Sequence, residues 1–74
     1  MTTALFVKEN LKGVISLAEL GGRALLVSGE SSGRLPYAEY QDDVETARLA
    51  FRKAITLTMK RGWKLIYQGP VLWG

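Results

Sequence analysis

Asp42–Gly62, DDVETARLAFRKAITLTMKRG, is the stretch on which the fold of this chain turns. Read at 3.6 residues per turn, Val44, Ala47, Phe51, Ala54, Ile55 and Thr58 fall on one stripe, which Ala50 and Leu57 widen on one side. Glu45, Leu49, Arg52, Lys53 and Lys60 fall on the opposite side. The pattern predicts an amphipathic helix lying on something apolar. The alanines among its larger side chains point to close approach to a sheet rather than to another helix. Asp42 is the expected N-cap, its carboxylate accepting from the first orphan amides, and Glu45 reaches back to complete a capping box. Lys60 and Arg61 suit the negative end of the helix dipole, and Gly62 suits the left-handed residue that closes a helix.

Outward from this helix the chain reads as strands. Leu35–Tyr40, LPYAEY, places Tyr37 and Glu39 on one face and Ala38 and Tyr40 on the other. Pro36 cannot donate to a ladder, so this strand is an edge or begins after it. On the far side, Trp63–Gln68 alternates Trp63, Leu65 and Tyr67 against Lys64, Ile66 and Gln68, and Gly69-Pro70 ends it. Earlier in the chain, Val14–Leu20 and Arg23–Ser28 are apolar runs joined by Gly21-Gly22. That is a hairpin signal, because a type I′ turn needs positive φ at both central residues. A helix over Leu11–Leu20 capped by Gly21 competes with it. The β-branched Val14 and Ile15, and the lack of a strong N-cap at Gly13, favour strands. Thr3–Lys8 is the first strand, with Asn10–Gly13 as a turn and Gly29–Gly33 as a loop. The expected fold is α+β: a small antiparallel sheet of three to five strands with one helix packed on one face, in the order β-β-β-β-α-β. A single domain occupies residues 1–74.

Composition bounds what such a domain can do. With 74 residues, of which 47% are apolar, one small core is possible, and cores of this size are marginal without help from disulfides, metals or oligomerisation. The chain has no Cys and no His, which removes disulfides, thiolate metal sites and the commonest general base. The run Ala4–Val7 is far too short for a signal peptide's apolar core or a membrane span. A cytoplasmic protein without membrane contact is the default expectation, and the net charge of +3 is only a mild basic excess.

Three motifs touch on chemistry. Gly29-Glu30-Ser31-Ser32-Gly33 matches the G-x-S-x-G of a nucleophile elbow, but no His stands ready to take the proton, and no helix follows directly. It also lacks the Lys-Ser/Thr of a phosphate loop. Glu39, Asp42, Asp43 and Glu45 cluster before the helix without the Gly-containing spacing of a calcium loop, and helix capping accounts for Asp42 and Glu45. No enzyme, metal or cofactor is expected. The expectation is instead a small macromolecule-binding module. Arg48, Arg52, Lys53, Lys60, Arg61 and Lys64 suit a phosphate backbone of DNA or RNA, with Trp63 and Tyr67 for stacking. The alternative is a protein partner or a homodimer, held through the apolar tail Val71, Leu72 and Trp73, a sheet edge, and Leu49 on the outer helix face.

From Tyr40 onward the chain resembles the second half of a WGR-type domain. The shared layout is a strand and an acidic turn leading into a helix of the form A-x-x-x-F-x-K, matched by Ala47, Phe51 and Lys53. The basic stretch Met59-Lys60-Arg61 and Gly62-Trp63 follow. The family's Trp-Gly-Arg signature is absent, and only Gly33-Arg34 stands near where it would fall. The resemblance implies contact with DNA ends. The same half is similar to small phage-encoded inhibitors of bacterial RNA polymerase, around Tyr37-Ala38-Glu39 and Gly62-Trp63, which implies a protein partner instead.

Overall fold

A computed structural model describes residues 1–32 and 36–70. Five strands and one helix follow one another as β1 (Thr2–Lys8), β2 (Leu11–Leu20), β3 (Arg23–Glu30), β4 (Tyr37–Gln41), α1 (Val44–Lys60) and β5 (Lys64–Pro70). The strands form one antiparallel sheet in the order β4-β3-β2-β1-β5. This is the α+β layout that the sequence predicts, with β4 at an edge and Pro36 just ahead of it. Gly33–Leu35 and the tail Val71–Gly74 lie outside the described residues.

The hairpin reading holds for residues 11–30. Gly21 and Gly22 both take positive φ, at +55° and +87°, and Leu20 pairs with Arg23 across the turn. The preceding turn is tighter than expected. It is Glu9-Asn10, with Lys8 paired to Leu11, so Gly13 belongs to β2 rather than to a loop. The reason lies on the helix side of the sheet. Trp63 lays its six-membered ring across Gly13, where a Cβ would come within 3.2 Å of a ring carbon. The glycine is a seat for an indole, not a chain break. Strand β5 departs from strict alternation in the same way. Its register against β1 slips between Leu5 and Phe6, so that Leu65 pairs with Phe6 while Tyr67 pairs with Leu5. Ile66 is the extra residue of this bulge, and Leu65 and Tyr67 lie on opposite faces.

The core lies between α1 and one face of the sheet. Ala4 and Phe6 of β1, Ile15 and Leu17 of β2, and Ala24 and Leu26 of β3 meet Ala47, Phe51 and Ile55 of the helix. Ala50 and Ala54 pack at its margin, and their small size lets α1 settle closely over β2 and β3 while touching β4. Both helix ends are closed. The N-cap is Asp43, one residue later than expected. Its carboxylate accepts from the Thr46 N–H at 3.0 Å and the Thr46 hydroxyl at 2.7 Å. Thr46 therefore stands in the third helical position that the sequence reading gave to Glu45. At the other end the Gly62 N–H reaches the Met59 carbonyl and the Trp63 N–H reaches the Thr58 carbonyl, with Gly62 at φ +95°. That is a Schellman closure, and it delivers Trp63 straight onto the sheet.

The core makes a graded test. Phe51→Ala should cost about 3–4 kcal/mol and Ile55→Val about 1 kcal/mol in urea unfolding. Leu49→Ala, on the exposed side of α1, should stay within about 0.5 kcal/mol. Equal effects at positions 49 and 51 would mean that the helix packs by another face.

Candidate functional site

The strand register assigns every paired residue to a face. Opposite the helix, Leu5 of β1 lies between Val14 of β2 and Tyr67 of β5. Ala18 of β2 lies beside Leu25 of β3, and Leu25 beside Tyr40 of β4. Val27 and Ala38 continue the row. Apolar side chains thus cross all five strands on the face that α1 leaves uncovered. An antiparallel sheet with one solvated face ordinarily alternates apolar and polar residues. Here the second face is nearly as apolar as the first. Its central side chains are half-buried by their neighbours, while Leu20 and Tyr40 at the margin are 59% and 67% exposed.

The polar groups in the middle of this face are paired off. The Thr3 and Ser16 hydroxyls bond each other at 3.0 Å. The Tyr67 hydroxyl donates to the Pro70 carbonyl, and its ring folds over Gly69, where a Cβ would meet the phenol oxygen at 3.0 Å. Among the described residues, charges on this face stand only at the two ends. Lys12 and Lys64 both flank Val7 at one end. At the other, the Arg23 guanidinium lies 5.9 Å from the Tyr40 ring centre and 3.5 Å from the Asp42 carboxylate. No acidic side chain within the described strands lies on this face, since Glu19, Glu30 and Glu39 all fall on the helix side.

The cations singled out in the sequence do not converge on one surface. Arg48 is tied to Glu19 of β2 at 2.6 Å. Lys64 sits at the end of the open sheet face. Arg61 borders a hollow of about 420 Å³ between the C-terminal half of α1 and strands β2–β4, walled by Trp63, Leu57 and Tyr37; its carbonyl accepts from the Lys8 ammonium at 2.8 Å. Only Arg52, Lys53 and Lys60 cluster, around a shallow hollow on the outside of the helix that Thr56 and Leu57 complete. Trp63 packs against the core and Tyr67 against its own strand, so neither accompanies that cluster. Leu49 is 55% exposed on the outer helix face, and Val71, Leu72 and Trp73 fall outside the described residues.

The Ser31 of the G-x-S-x-G match is a stitch in the sheet. Its hydroxyl accepts from the Lys12 N–H at 2.9 Å, and its own N–H donates to the Lys12 carbonyl at 2.9 Å. Glu39 accepts from Tyr37 and Gln41 along β4, and that bond, with the nearby negative charge, raises the Tyr37 phenol above its ordinary pKa. Among the described residues, no three acidic side chains gather in a way that would hold a metal ion. No protein-family model, curated protein or solved structure matches this chain.

The open-face residues Leu5, Val14, Ala18, Leu25, Val27 and Tyr40 were not singled out in the sequence. The signal was nevertheless present. Ala4–Val7, Val14–Leu17 and Ala24–Val27 are nearly continuous apolar runs, the pattern of strands covered on both sides rather than one.

The helix cap gives a pH test. Hydrogen bonds from the Thr46 hydroxyl and amide hold the Asp43 carboxyl below its ordinary pKa. A carboxyl lowered on folding adds stability that is fully present above its unfolded-state pKa and is lost as the pH falls through the lower folded-state value. Asp43→Ala should therefore lower the melting temperature by several degrees at neutral pH. Below about pH 4 the gap to the parent chain should close. A gap that stays constant in an acid titration followed by circular dichroism would count against this role.

Proposed function

We propose that this chain is a small non-catalytic macromolecule-binding module that docks a protein on the open face of its sheet. The supporting observation is that every strand places apolar side chains on this face, with Tyr67, Leu5 and Val14 in one row, Ala18, Leu25 and Tyr40 in another, and the bonded Thr3–Ser16 pair between them. Apolar area of this kind on a small domain marks an interaction surface. Its chemistry suits protein better than nucleic acid. Leu5, Val14, Leu25 and Val27 offer a base neither hydrogen bonds nor aromatic planes. The central hydroxyls are bonded to one another, so a dry partner strands no polar group there. The lack of His and Cys in the sequence supports a binding role over a catalytic one.

A photoreactive side chain at Val27, on the open face, should trap a protein in cells that make the chain. The same group at Thr56, outside the helix, should trap none. Protein adducts at Thr56 with none at Val27 would reverse the reading.

A second reading stands on Arg52, Lys53 and Lys60, which cluster on the outer helix with no ion pair among the described residues. The layout shared with WGR-type domains points the same way. On this reading the helix lies along a nucleic-acid backbone. Three phosphate contacts predict that log affinity falls with log salt at a slope of about −2.7, reduced by roughly 0.9 for each of Arg52→Ala and Lys53→Ala. A titration with a DNA or RNA oligomer at low salt that detects no binding removes it.

A further inference from the structure

Resting on the reading of the open sheet face as a protein-docking surface, we propose that its occupant is a second copy of this chain, packed sheet against sheet about a two-fold axis. Two observations carry it.

The first is area. Five strands about 4.8 Å apart, with about seven residues each at about 3.3 Å per residue, make a face of roughly 24 by 23 Å. That is roughly 550 Å² in projection, and side-chain relief raises the accessible area towards the roughly 800 Å² that each partner of a stable complex buries. A sheet face of this extent is matched by another sheet, and sheets pack face to face at about 10 Å. An identical copy supplies one. Association would also remedy the small core of a 74-residue chain that has no disulfide to help it.

The second is that the centre is ready to be dried. Thr3 and Ser16 bond each other and Tyr67 bonds the Pro70 carbonyl, so burial leaves these hydroxyls satisfied without any group from the partner.

Sedimentation equilibrium of the full chain, from low to several hundred micromolar, tests this. The expected mass is twice the 8.2 kDa of one chain. Leu25→Lys should weaken association by about a hundredfold. Val27→Thr keeps shape and strand preference, so it remains informative if Leu25→Lys fails to fold by circular dichroism; it should weaken association several-fold. Leu49→Lys, on the outer helix, should leave it unchanged. A single-chain mass throughout overturns the second copy, as does a dimer indifferent to the substitutions at positions 25 and 27. A single-chain mass together with a foreign protein trapped at Val27 removes self-association and keeps the docking face. A single-chain mass with nothing trapped there removes both.

Discussion

One helix cannot cover both sides of a sheet, and most of what is distinctive here follows from that constraint. The helix is about 10 Å wide with its side chains, and it spends Ala47, Phe51 and Ile55 on one face of five strands. The strands, however, are apolar on both sides. Phe6 and Leu26 point at the helix and are buried, whereas Leu5 and Leu25, one residue earlier in each strand, point away and remain half-exposed. The period-two geometry of a strand allows no compromise between the two directions. Among the described residues, the apolar area on the second face stays uncovered.

Two glycine–aromatic pairs complete the layers where the helix does not reach. Trp63 on Gly13 fills the helix side of β2, at the point where α1 has ended. Tyr67 on Gly69 covers the open side near the β5 edge, where Gly69 pairs with Thr3. Both work because a glycine leaves a ring free to lie flat on the backbone. The bulge at Ile66 makes them compatible, since it turns Leu65 to the helix face and Tyr67 to the other within the same strand.

The distribution of charge follows the same division. Arg48 with Glu19 and Arg23 with Asp42 are pairs between the sheet and the segments beside it. They are largely exposed and modest in strength. Arg52, Lys53 and Lys60 project from the far side of the helix, where they keep one surface polar. The molecule thus has a basic helical exterior and an apolar sheet exterior, set back to back. The two surfaces therefore differ in the chemistry they present.

Much of this was legible in the residues alone. The stripe from Val44 to Thr58 specified a helix with Phe51 and Ile55 inward, because a 3.6-residue period has only one apolar side. Gly21-Gly22 favoured the hairpin over a helix capped by Gly21, because a type I′ turn needs positive φ at both positions. Pro36 required an edge strand or one that begins after it, because it lacks a donor, and β4 meets both conditions. The count of strands and the identity of the cap were less sharp, since Asp42 and Asp43 are chemically equivalent and only the backbone path selects the second. What the sequence left undetermined are the facts that depend on separate segments meeting. These are that Trp63 lies on Gly13, that β5 joins β1 with a one-residue slip, and that the helix chooses the Phe6 side over the Leu5 side. With both sides of β1 apolar, local pattern gave no reason to prefer either. Tertiary packing decided it, because the chain leaving β4 places a single helix on one side only, and the open face is whatever remains.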